Sequence, residues 1–256
     1  MKPAEIIIPC LDNLQYTRRC YESLKRHTSI PFRLTFIDNA SGAPSRKYLE
    51  RISREESGVK LIRNSRNLGA PAAFNQGIAS SDADLIILLN NDTVMTEGWA
   101  SKLLKALKRC PAGGIAAPLL NPPPGKKMSL REINRLAVFI ELKNRGSLRE
   151  VPGVTSTCMA IRREVVEKIG NFDENYGPGT NDDHDFCLRA REAGFKIICS
   201  EEVFIYHYWN KTLGRMGLRE LDRKNREYFI SKFGDAALKF LSETGQLRDQ
   251  TGDSCR

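Results

Sequence analysis

The stretch LIILLNNDTV, residues 85–94, places five apolar residues directly before two asparagines and an aspartate. An unbroken apolar run of this length is typical of a strand that is buried on both faces of a parallel sheet. The run stops at Asn90, Asn91 and Asp92, whose polar side chains are costly to bury without partners. This ending indicates a strand whose carboxyl end opens onto a polar site.

The sequence before this stretch alternates between strand-like and helix-like patterns. Strands are predicted at 5–10, 33–38 and 59–64, and each is followed by a helical pattern that begins near Asn13, Pro44 or Pro71. Strands joined by helices pair in parallel through right-handed crossovers. The first ~120 residues are therefore predicted to form a doubly wound sheet, with a ligand crevice beyond the carboxyl ends of its strands.

Each of the four strand exits in this half carries polar or turn-forming residues. Asn and Asp commonly form turns and helix caps, so a single exit would indicate little about binding. Parallel strands bring all four exits to one crevice, and their agreement favours a binding site. The exit residues are Pro9, Leu11 and Asp12, then Asp38, Asn39 and Ser41, then Asn67 and Gly69, and finally Asn90, Asn91 and Asp92.

The composition is that of a globular protein with a sizeable core. The chain has 256 residues, 41% of them hydrophobic. It contains no apolar run near the ~18 residues of a membrane span and no signal-peptide pattern at its start, so we expect a cytoplasmic protein. Seven scattered cysteines without a Cys-x-x-Cys pair are expected to be reduced thiols, and they predict neither a disulfide framework nor a zinc site.

The net charge of +9 is concentrated in residues 101–150, which hold 11 Lys and Arg against 3 Asp and Glu. An anionic membrane surface, a phosphorylated substrate and a merely solvated basic face all fit this excess. The segment carries no nucleic-acid reader motif, and we expect no nucleic-acid partner.

Within this basic segment, residues 119–152 break the strand–helix alternation, and we interpret them as an insertion or flap. A basic amphipathic helix is predicted there, with one face formed by Leu130, Ile133, Ala137 and Ile140. A packed surface helix and a helix lying on a membrane share this pattern, so peripheral membrane contact through 119–150 is an alternative.

The second half continues with predicted strands and helices. VTSTCMAI, FKIICS and VFIYHYW are strand-like, whereas REVVEKIG, DDHDFCLRAREAG and the tail are helical. Asp182, Asp183 and Asp185 fall in the first turn of one helix, where the helix dipole alone would stabilise them. From these residues alone, a structural role for the three acids is favoured over a catalytic one.

Several of these stretches resemble the family 2 glycosyltransferases, which are nucleotide-sugar enzymes with the GT-A fold. In the first half they are IIIPCLDN, FIDNASGAPS, NSRNLGAPAAFNQGI and LIILLNNDT, the last in the place of the family's Asp-X-Asp motif. In the second half, CMAIRREVVEKIGNFDENYG and NDDHDFCLRAREAGFKI are similar to the family's acceptor-side segment and Glu-Asp-X-Asp helix start. The resemblance covers about residues 4–212.

The resemblance implies an α/β GT-A fold, with a doubly wound, mostly parallel central sheet flanked by helices. Residues 1–118 would form the nucleotide-sugar-binding half and 119–152 the basic insertion or flap. Residues 153–212 would form the acceptor and catalytic half, followed by C-terminal helices in 213–256.

The resemblance also implies an inverting transfer of a sugar from a UDP- or dTDP-sugar to a glycan or lipid-linked acceptor. The basic segment suggests an acidic or membrane-associated acceptor, and with it a peripheral position at the inner face of the membrane as an alternative. Asp183 corresponds to the catalytic base, while Asp92 and His207 would hold Mn²⁺ or Mg²⁺ at the diphosphate. Lys211 and Thr212 would reach a phosphate. The implied nucleotide-sugar contacts are Pro9, Leu11, Asp12, Asp38, Asn67, Gly69, Asn75, Asn90 and Asn91.

Two departures from the family pattern leave another function open. Asn90 and Asn91 replace acids of the Asp-X-Asp motif, and Asp182 replaces the Glu that precedes the base. The alternative is a catalytically silent relative that binds a nucleotide or a carbohydrate. The sequence has no Gly-rich phosphate loop near its start and no GxGxxG, which argues against a nucleotidyltransferase and a dehydrogenase.

Overall fold

A computed structural model describes residues 2–122, 127–209 and 218–245. The strands in this part of the chain are β1 (Ala4–Cys10), β2 (Phe32–Asp38), β3 (Val59–Arg63), β4 (Leu85–Leu89), β5 (Thr93–Val94), β6 (Gly113–Leu120), β7 (Leu148–Glu150), β8 (Cys158–Arg162) and β9 (Lys196–His207). The helices are α1 (Leu14–His27), α2 (Ala43–Glu55), α3 (Ala70–Ala79), α4 (Trp99–Arg109), α5 (Leu130–Lys143), α6 (Arg163–Ile169), α7 (Asp182–Glu192), α8 (Leu218–Phe233) and α9 (Asp235–Glu243), with a 3₁₀ turn at Glu174–Tyr176.

The strands form one sheet in the order β3-β2-β1-β4-β8-β6-β9-β5, with β7 also paired to β9. The first four strands of this order are parallel, as predicted for the doubly wound half. β8 runs antiparallel between β4 and β6, and β9 returns parallel to β6. The chain winds outward from β1 to β3 and then crosses back to β4, so the strand order reverses between β1 and β4, where such sheets open a ligand crevice.

Helices cover both faces of the sheet, which explains the continuous apolar run of β4. Successive side chains of a strand point to opposite faces. Ile87 and Leu89 lie in one core layer, together with Trp99 of α4. Ile86 and Leu88 lie in the other layer, with the aromatic side chains of α3 and α7. Each fully buried aliphatic side chain stabilises the fold by about 1.5–3 kcal/mol.

One long strand, β9, replaces the two separate strands predicted from FKIICS and VFIYHYW. Its pairing with β6 shifts register between Pro118, which lies beside Ser200, and Leu119, which lies beside Phe204. Glu201 and Glu202 interrupt the apolar run between these two stretches, and for that reason the sequence suggested a break between two strands. Both glutamates are instead accommodated at the irregularity, where Glu202 accepts a hydrogen bond from the Gly146 N–H at 2.9 Å.

The basic segment contains helix α5, which begins with a capping box between Ser129 and Glu132. Ile133 is fully buried against Phe204 and Tyr206, and the remaining inward side chains are partly buried around it. Leu130 departs from the predicted face and is 50% exposed. At 3.6 residues per turn Leu130 projects about 70° from the centre of the packed face. Leu136, on the other side of that face, packs in the cluster instead.

The described cysteines form no disulfide, and five of these six are buried. Burial raises the pKa of the Cys20 thiol to about 12, so a thiolate is not available there at neutral pH. In the described ranges, no helix is both long enough and apolar enough to cross a bilayer.

The packing of α3 on β1 predicts the effect of a small substitution. A Cβ atom on Gly77 would lie 2.4 Å from Cγ2 of the buried Ile7. We expect Gly77→Ala to lower the free energy of unfolding by about 1–2 kcal/mol, because overpacking outweighs the gain in helix propensity. Denaturant unfolding measures this change. Ala79→Ser, at an exposed position of the same helix, is the control, and a Gly77→Ala variant as stable as the unmodified protein would contradict the prediction.

Candidate active site

A cleft of about 380 Å³ opens beyond the carboxyl ends of the parallel strands, at the reversal between β1 and β4. A larger and more open groove of about 620 Å³ lies between α1 and α2, is crossed by the Lys25–Glu56 ion pair, and contains none of the predicted site residues. The cleft at the strand ends contains most of the predicted residues. These are Pro9, Leu11, Asn67, Gly69, Asn90, Asn91, Asp92, Asp183 and His207.

Asp92 and His207 come together through the pairing of β5 with the end of β9. Thr93 lies beside His207 in this antiparallel pair, and the Tyr208 N–H donates to the Asp92 carbonyl at 2.9 Å. His207 Nε2 lies 2.9 Å from Asp92 Oδ1, and the two side chains are only 6% and 7% exposed. Asn121 fixes the His207 backbone with two hydrogen bonds, of 2.7 and 3.0 Å.

The asparagines that follow β4 connect the cleft to its surroundings. The Asn91 side chain donates to Thr17 Oγ1 of α1 at 2.9 Å, and it is buried. The Asn90 N–H donates to the Thr157 carbonyl at 2.9 Å, which joins the exit of β4 to the segment before β8. The Asn91 side chain and the Asn90 backbone thus join the strand end to α1 and to the segment before β8, and Asp92 contributes the carboxylate.

Gly69, which precedes α3, permits a close approach between the two halves of the cleft. It has φ +90°, and a Cβ atom there would lie 2.0 Å from the Gly177 carbonyl oxygen. The Ala70 N–H donates to the Pro178 carbonyl at 3.2 Å, and Asn67 Oδ1 accepts the Gly69 N–H at 3.0 Å. A residue with a side chain would push the 177–180 loop away from this wall.

Asp12 and Asp38, predicted to contact the nucleotide sugar, lie outside the cleft lining in this conformation. Asp12 Oδ1 accepts the Gly42 N–H at 2.8 Å. Asp38 is fully buried, accepts the Ser41 N–H at 2.8 Å, and forms an ion pair with Arg63 at 3.2 Å. Both carboxylates therefore organise the exits of β1 and β2, and their contacts with a nucleotide stay a prediction.

Asn75 also lies outside the cleft lining. Its carboxamide accepts the Phe172 N–H and donates to the Phe172 carbonyl, both at 2.9 Å, and it donates to Glu174 at the same distance. This side chain fastens α3 to the loop after α6. The contact of Asn75 with the nucleotide sugar stays a prediction.

The three acids at the start of α7 have different environments. Asp185 is fully buried and pairs with Arg189 and Lys232, each at 2.6 Å. Asp183 lines the cleft, and its two oxygens accept the His184 N–H at 2.9 Å and the Ser156 N–H at 3.3 Å. Asp185 therefore has a structural role, whereas Asp183 presents an oriented carboxylate to the cleft.

Asp182 is the third acid, and it is 3% exposed with no hydrogen-bond partner at Oδ2 in the described structure. Burial raises the pKa of the Asp182 carboxyl well above its ordinary value, and the neighbouring charge of Asp183 raises it further. Asp182 consequently retains its proton more readily than an exposed aspartate does.

Other residues of the site were missed in the sequence. Trp209 stacks near His207, with ring centroids 4.3 Å apart, and donates to the Asn121 carbonyl at 2.9 Å. Asn121 directly follows β6, so the rule applied to the other strand exits would have found it. Asn225 of α8 donates to the carbonyls of Tyr176, Gly179 and Thr180, and no local sequence signal marks this role. Lys211 and Thr212 lie outside the described residues.

The donor set fits a cation that is bound partly by substrate. Among the described residues there is no group of three or more His, Cys, Asp or Glu side chains that could hold a metal by itself. Asp92 and His207 nevertheless offer a carboxylate oxygen and an imidazole nitrogen 2.9 Å apart at the cleft. Mg²⁺ commonly takes one or two carboxylates and completes its shell with phosphate oxygens and water, and imidazole is a common ligand for other divalent metals.

Solved structures with the same architecture bind nucleotide sugars. TarS 1–349 of S. aureus, in complex with UDP-GlcNAc, has a TM-score of 0.69 at 12% identity, over 98% of this chain and 75% of that one. The mannosyltransferase PcManGT of Pyrobaculum calidifontis, in complex with GDP-Man and Mn²⁺, has a TM-score of 0.66 at 14% identity, over 96% and 76%. These likenesses confirm the predicted GT-A fold.

Curated relatives are similar in sequence. An uncharacterized protein of Sinorhizobium fredii, y4gI, is 26% identical over 91% of this chain, which spans only 28% of that protein. The N-acetylglucosaminyl-diphospho-decaprenol L-rhamnosyltransferase of Mycobacterium tuberculosis is 24% identical, over 84% of this chain and 79% of the relative. The model of the family described as "Glycosyl transferase family 2" matches residues 5–170, and the chain therefore belongs to that family.

Proposed function

We propose that this domain transfers a sugar from a nucleoside diphosphate sugar to an acceptor hydroxyl, with inversion at the anomeric carbon. The observation that carries the proposal is that Asp92 and Asp183, remote in sequence, line the same cleft. One carboxylate accompanies a histidine suited to a cation, and the other is held by backbone N–H groups beside an open volume. This is the division of roles that such a transfer requires.

Asp183 acts as the general base in this proposal. It accepts the proton of the acceptor hydroxyl while that oxygen forms a bond to the anomeric carbon and the bond from this carbon to the diphosphate oxygen breaks. The N–H groups of Ser156 and His184 orient its carboxylate and leave lone pairs for the proton. A single base suffices because the leaving diphosphate departs as an anion.

In this proposal Asp92 and His207 are the residues that would hold Mn²⁺ or Mg²⁺ beside the diphosphate. The bound ion would neutralise the charge that develops on the leaving diphosphate. The structure of the similar mannosyltransferase with GDP-Man and Mn²⁺ supports this choice of cofactor. Asn90 and Asn91 carry no charge, so among the three residues that follow β4 only Asp92 would bring negative charge to the ion.

Asp182 favours its neutral form beside the base in this proposal. Two adjacent carboxylates at a buried site do not both ionise readily, and the one that is more buried keeps the proton. Because Asp182 is buried and favours its protonated form, it adds less negative charge beside the Asp183 carboxylate than an exposed aspartate would.

The donor is a nucleoside diphosphate sugar, and uridine and thymidine are the bases we propose from the family resemblance. The similar structures with UDP-GlcNAc and GDP-Man justify testing uridine and guanosine side by side. For the acceptor we propose a lipid-linked diphosphate sugar or a growing glycan. The name of the mycobacterial rhamnosyltransferase supports the lipid-linked choice. The expected cytoplasmic location remains a prediction.

Replacement of the base tests the proposed chemistry. We expect Asp183→Asn to lower kcat about 10²–10⁴-fold, because general-base catalysis is lost, and to leave donor binding unchanged. Transfer assays and calorimetric titration with the sugar nucleotide measure the two effects. The control is Asp84→Asn, an exposed aspartate outside the cleft. An active Asp183→Asn variant would refute the base, and an unmodified domain that binds donors without any turnover would favour the catalytically silent relative.

Removal of the histidine tests the metal site. UDP or GDP with Mn²⁺ should raise the melting temperature, and EDTA should abolish the part of the increase that is due to the metal. In His207→Ala we expect the affinity for Mn²⁺ in the presence of the nucleotide to fall at least about tenfold, because one ligand is lost. His27→Ala, at a surface histidine paired with Glu97, serves as the control. Equal metal affinity in both variants would exclude His207 as a ligand.

The raised pKa of Asp182 predicts a dependence of stability on pH. Because the folded protein binds this proton more tightly than the unfolded chain, ionisable Asp182 lowers stability as the pH rises above its ordinary pKa of 3.8. Asp182→Asn should therefore be more stable than the unmodified protein near pH 8, and the difference should shrink towards pH 4. Denaturant unfolding at both pH values, with Asp84→Asn as the control, measures it. A difference that is the same at both pH values would contradict the assignment.

A further inference from the structure

Helix α5 buries one face and presents a second apolar surface to solvent. Leu130, Val138, Phe139 and Leu142 are 50%, 54%, 61% and 68% exposed. They are four of the five large hydrophobic residues that are exposed in the described part of the chain. Single exposed apolar residues are ordinary on protein surfaces, whereas a group of them on one element marks an interaction surface.

Three of these residues lie in one sector of the helix, opposite the buried Ile133. At 100° per residue, Val138, Leu142 and Phe139 span about 100°. Arg131 and Arg135 project within the same sector, one or two turns nearer the start of the helix. The outward surface of α5 therefore has a cationic amino-terminal half and an apolar carboxyl-terminal half.

The charges around this surface are unbalanced. Arg131, Arg135, Lys143 and Arg145 are exposed and make no ion pair within the residues that the structure describes. The two acids of α5 are engaged elsewhere. Glu132 closes the capping box with Ser129, and Glu141 pairs with Lys102 of α4 at 2.9 Å. The surface thus combines apolar side chains with unpaired cations, which is the composition of interfacial helices.

We propose that α5 docks on an anionic lipid bilayer. Val138, Phe139 and Leu142 enter the boundary between headgroups and acyl chains, while Arg131 and Arg135 contact the anionic headgroups. A second copy of the chain fits this surface less well. A parallel pair of such surfaces would bring unpaired cations together, and an antiparallel pair would cover those cations with apolar side chains. In neither pair does the outward sector supply an acidic residue to oppose them.

Docking in this way places the bilayer beside the strand that reaches the cleft. Ile133 of α5 packs on Tyr206, the residue before His207 on β9, and Tyr208 is packed against the same cluster. A lipid-linked acceptor would then approach the cleft from the membrane surface. This statement about the acceptor rests on the proposed function, whereas the docking itself does not.

Vesicle sedimentation with the full chain tests the docking. At physiological salt we expect retention on phosphatidylcholine vesicles that contain about 30% phosphatidylglycerol, and little retention on phosphatidylcholine alone. The double variants Phe139→Ser/Leu142→Ser and Arg131→Ala/Arg135→Ala should each reduce partitioning at least about fivefold, because one removes the inserted groups and the other the headgroup contacts. Melting curves verify that both variants remain folded.

Matched control variants distinguish the effect of the α5 surface on vesicle binding from the effects of the protein's overall charge and hydrophobicity. Lys105→Ala/Lys108→Ala removes two exposed cations from α4 in the same basic segment, and Leu238→Ser removes the fifth exposed hydrophobic residue, on α9. Both should bind vesicles as the unmodified protein does. Asp183→Asn should also bind, so a failure of the proposed catalysis is distinguishable from a failure of docking.

Three outcomes would overturn the proposal. They are equal retention on neutral and anionic vesicles, no retention on either, and undiminished retention of both α5 double variants. Sedimentation velocity tests whether the surface instead binds a second copy of the chain. A concentration-dependent dimer that Phe139→Ser/Leu142→Ser abolishes would assign the surface to a second copy of the chain instead of a lipid bilayer.

Discussion

The pairing of two-residue strand β5 with the end of β9 is the contact on which the candidate site depends. β5 follows the Asn-Asn-Asp exit of the parallel half, whereas β9 belongs to the mixed half of the sheet. Their backbone hydrogen bonds bring the buried side chains of Asp92 and His207 within 2.9 Å of each other. Without this pairing the carboxylate would be an ordinary turn residue after a strand, as it looks in the sequence.

The general position of the site follows from sequence by a simple physical rule. Parallel strands bring their carboxyl ends to one edge, so polar residues after several strands converge there. Seven of the nine predicted residues that line the cleft lie at the exits of the parallel strands for this reason, whereas Asp183 and His207 were expected there from the family resemblance. Asp12 and Asp38 follow the same rule in sequence, yet Asp12 accepts the Gly42 N–H at the neighbouring exit and Asp38 accepts the Ser41 N–H within its own exit. Periodicity locates a strand end, but it does not determine which way a side chain turns there.

The roles within the acidic cluster could not be read from residue types. Asp182, Asp183 and Asp185 are chemically identical and nearly adjacent, and each has a different environment in the fold. Asp185 meets two cations, Asp182 has an unpartnered oxygen, and Asp183 reaches the cleft. These differences arise from helices α7 and α8 and from the segment before β8, and long-range packing of this kind leaves no local pattern.

The hydrogen bonds from Asn225 to the loop at 177–180 limit where the chain can be shortened without loss of the cleft. The family match ends at residue 170, before the loop, the acidic helix and α8. A shortened chain cut at that boundary would keep β1–β8 and lose both β9, which carries His207, and the cleft wall that carries Asp183. A cut between α7 and α8 would retain Asp183 but release the three carbonyls that Asn225 holds. Helix α8 therefore supports the cleft wall that carries Asp183, and the smallest unit that keeps both walls of the cleft extends at least through α8.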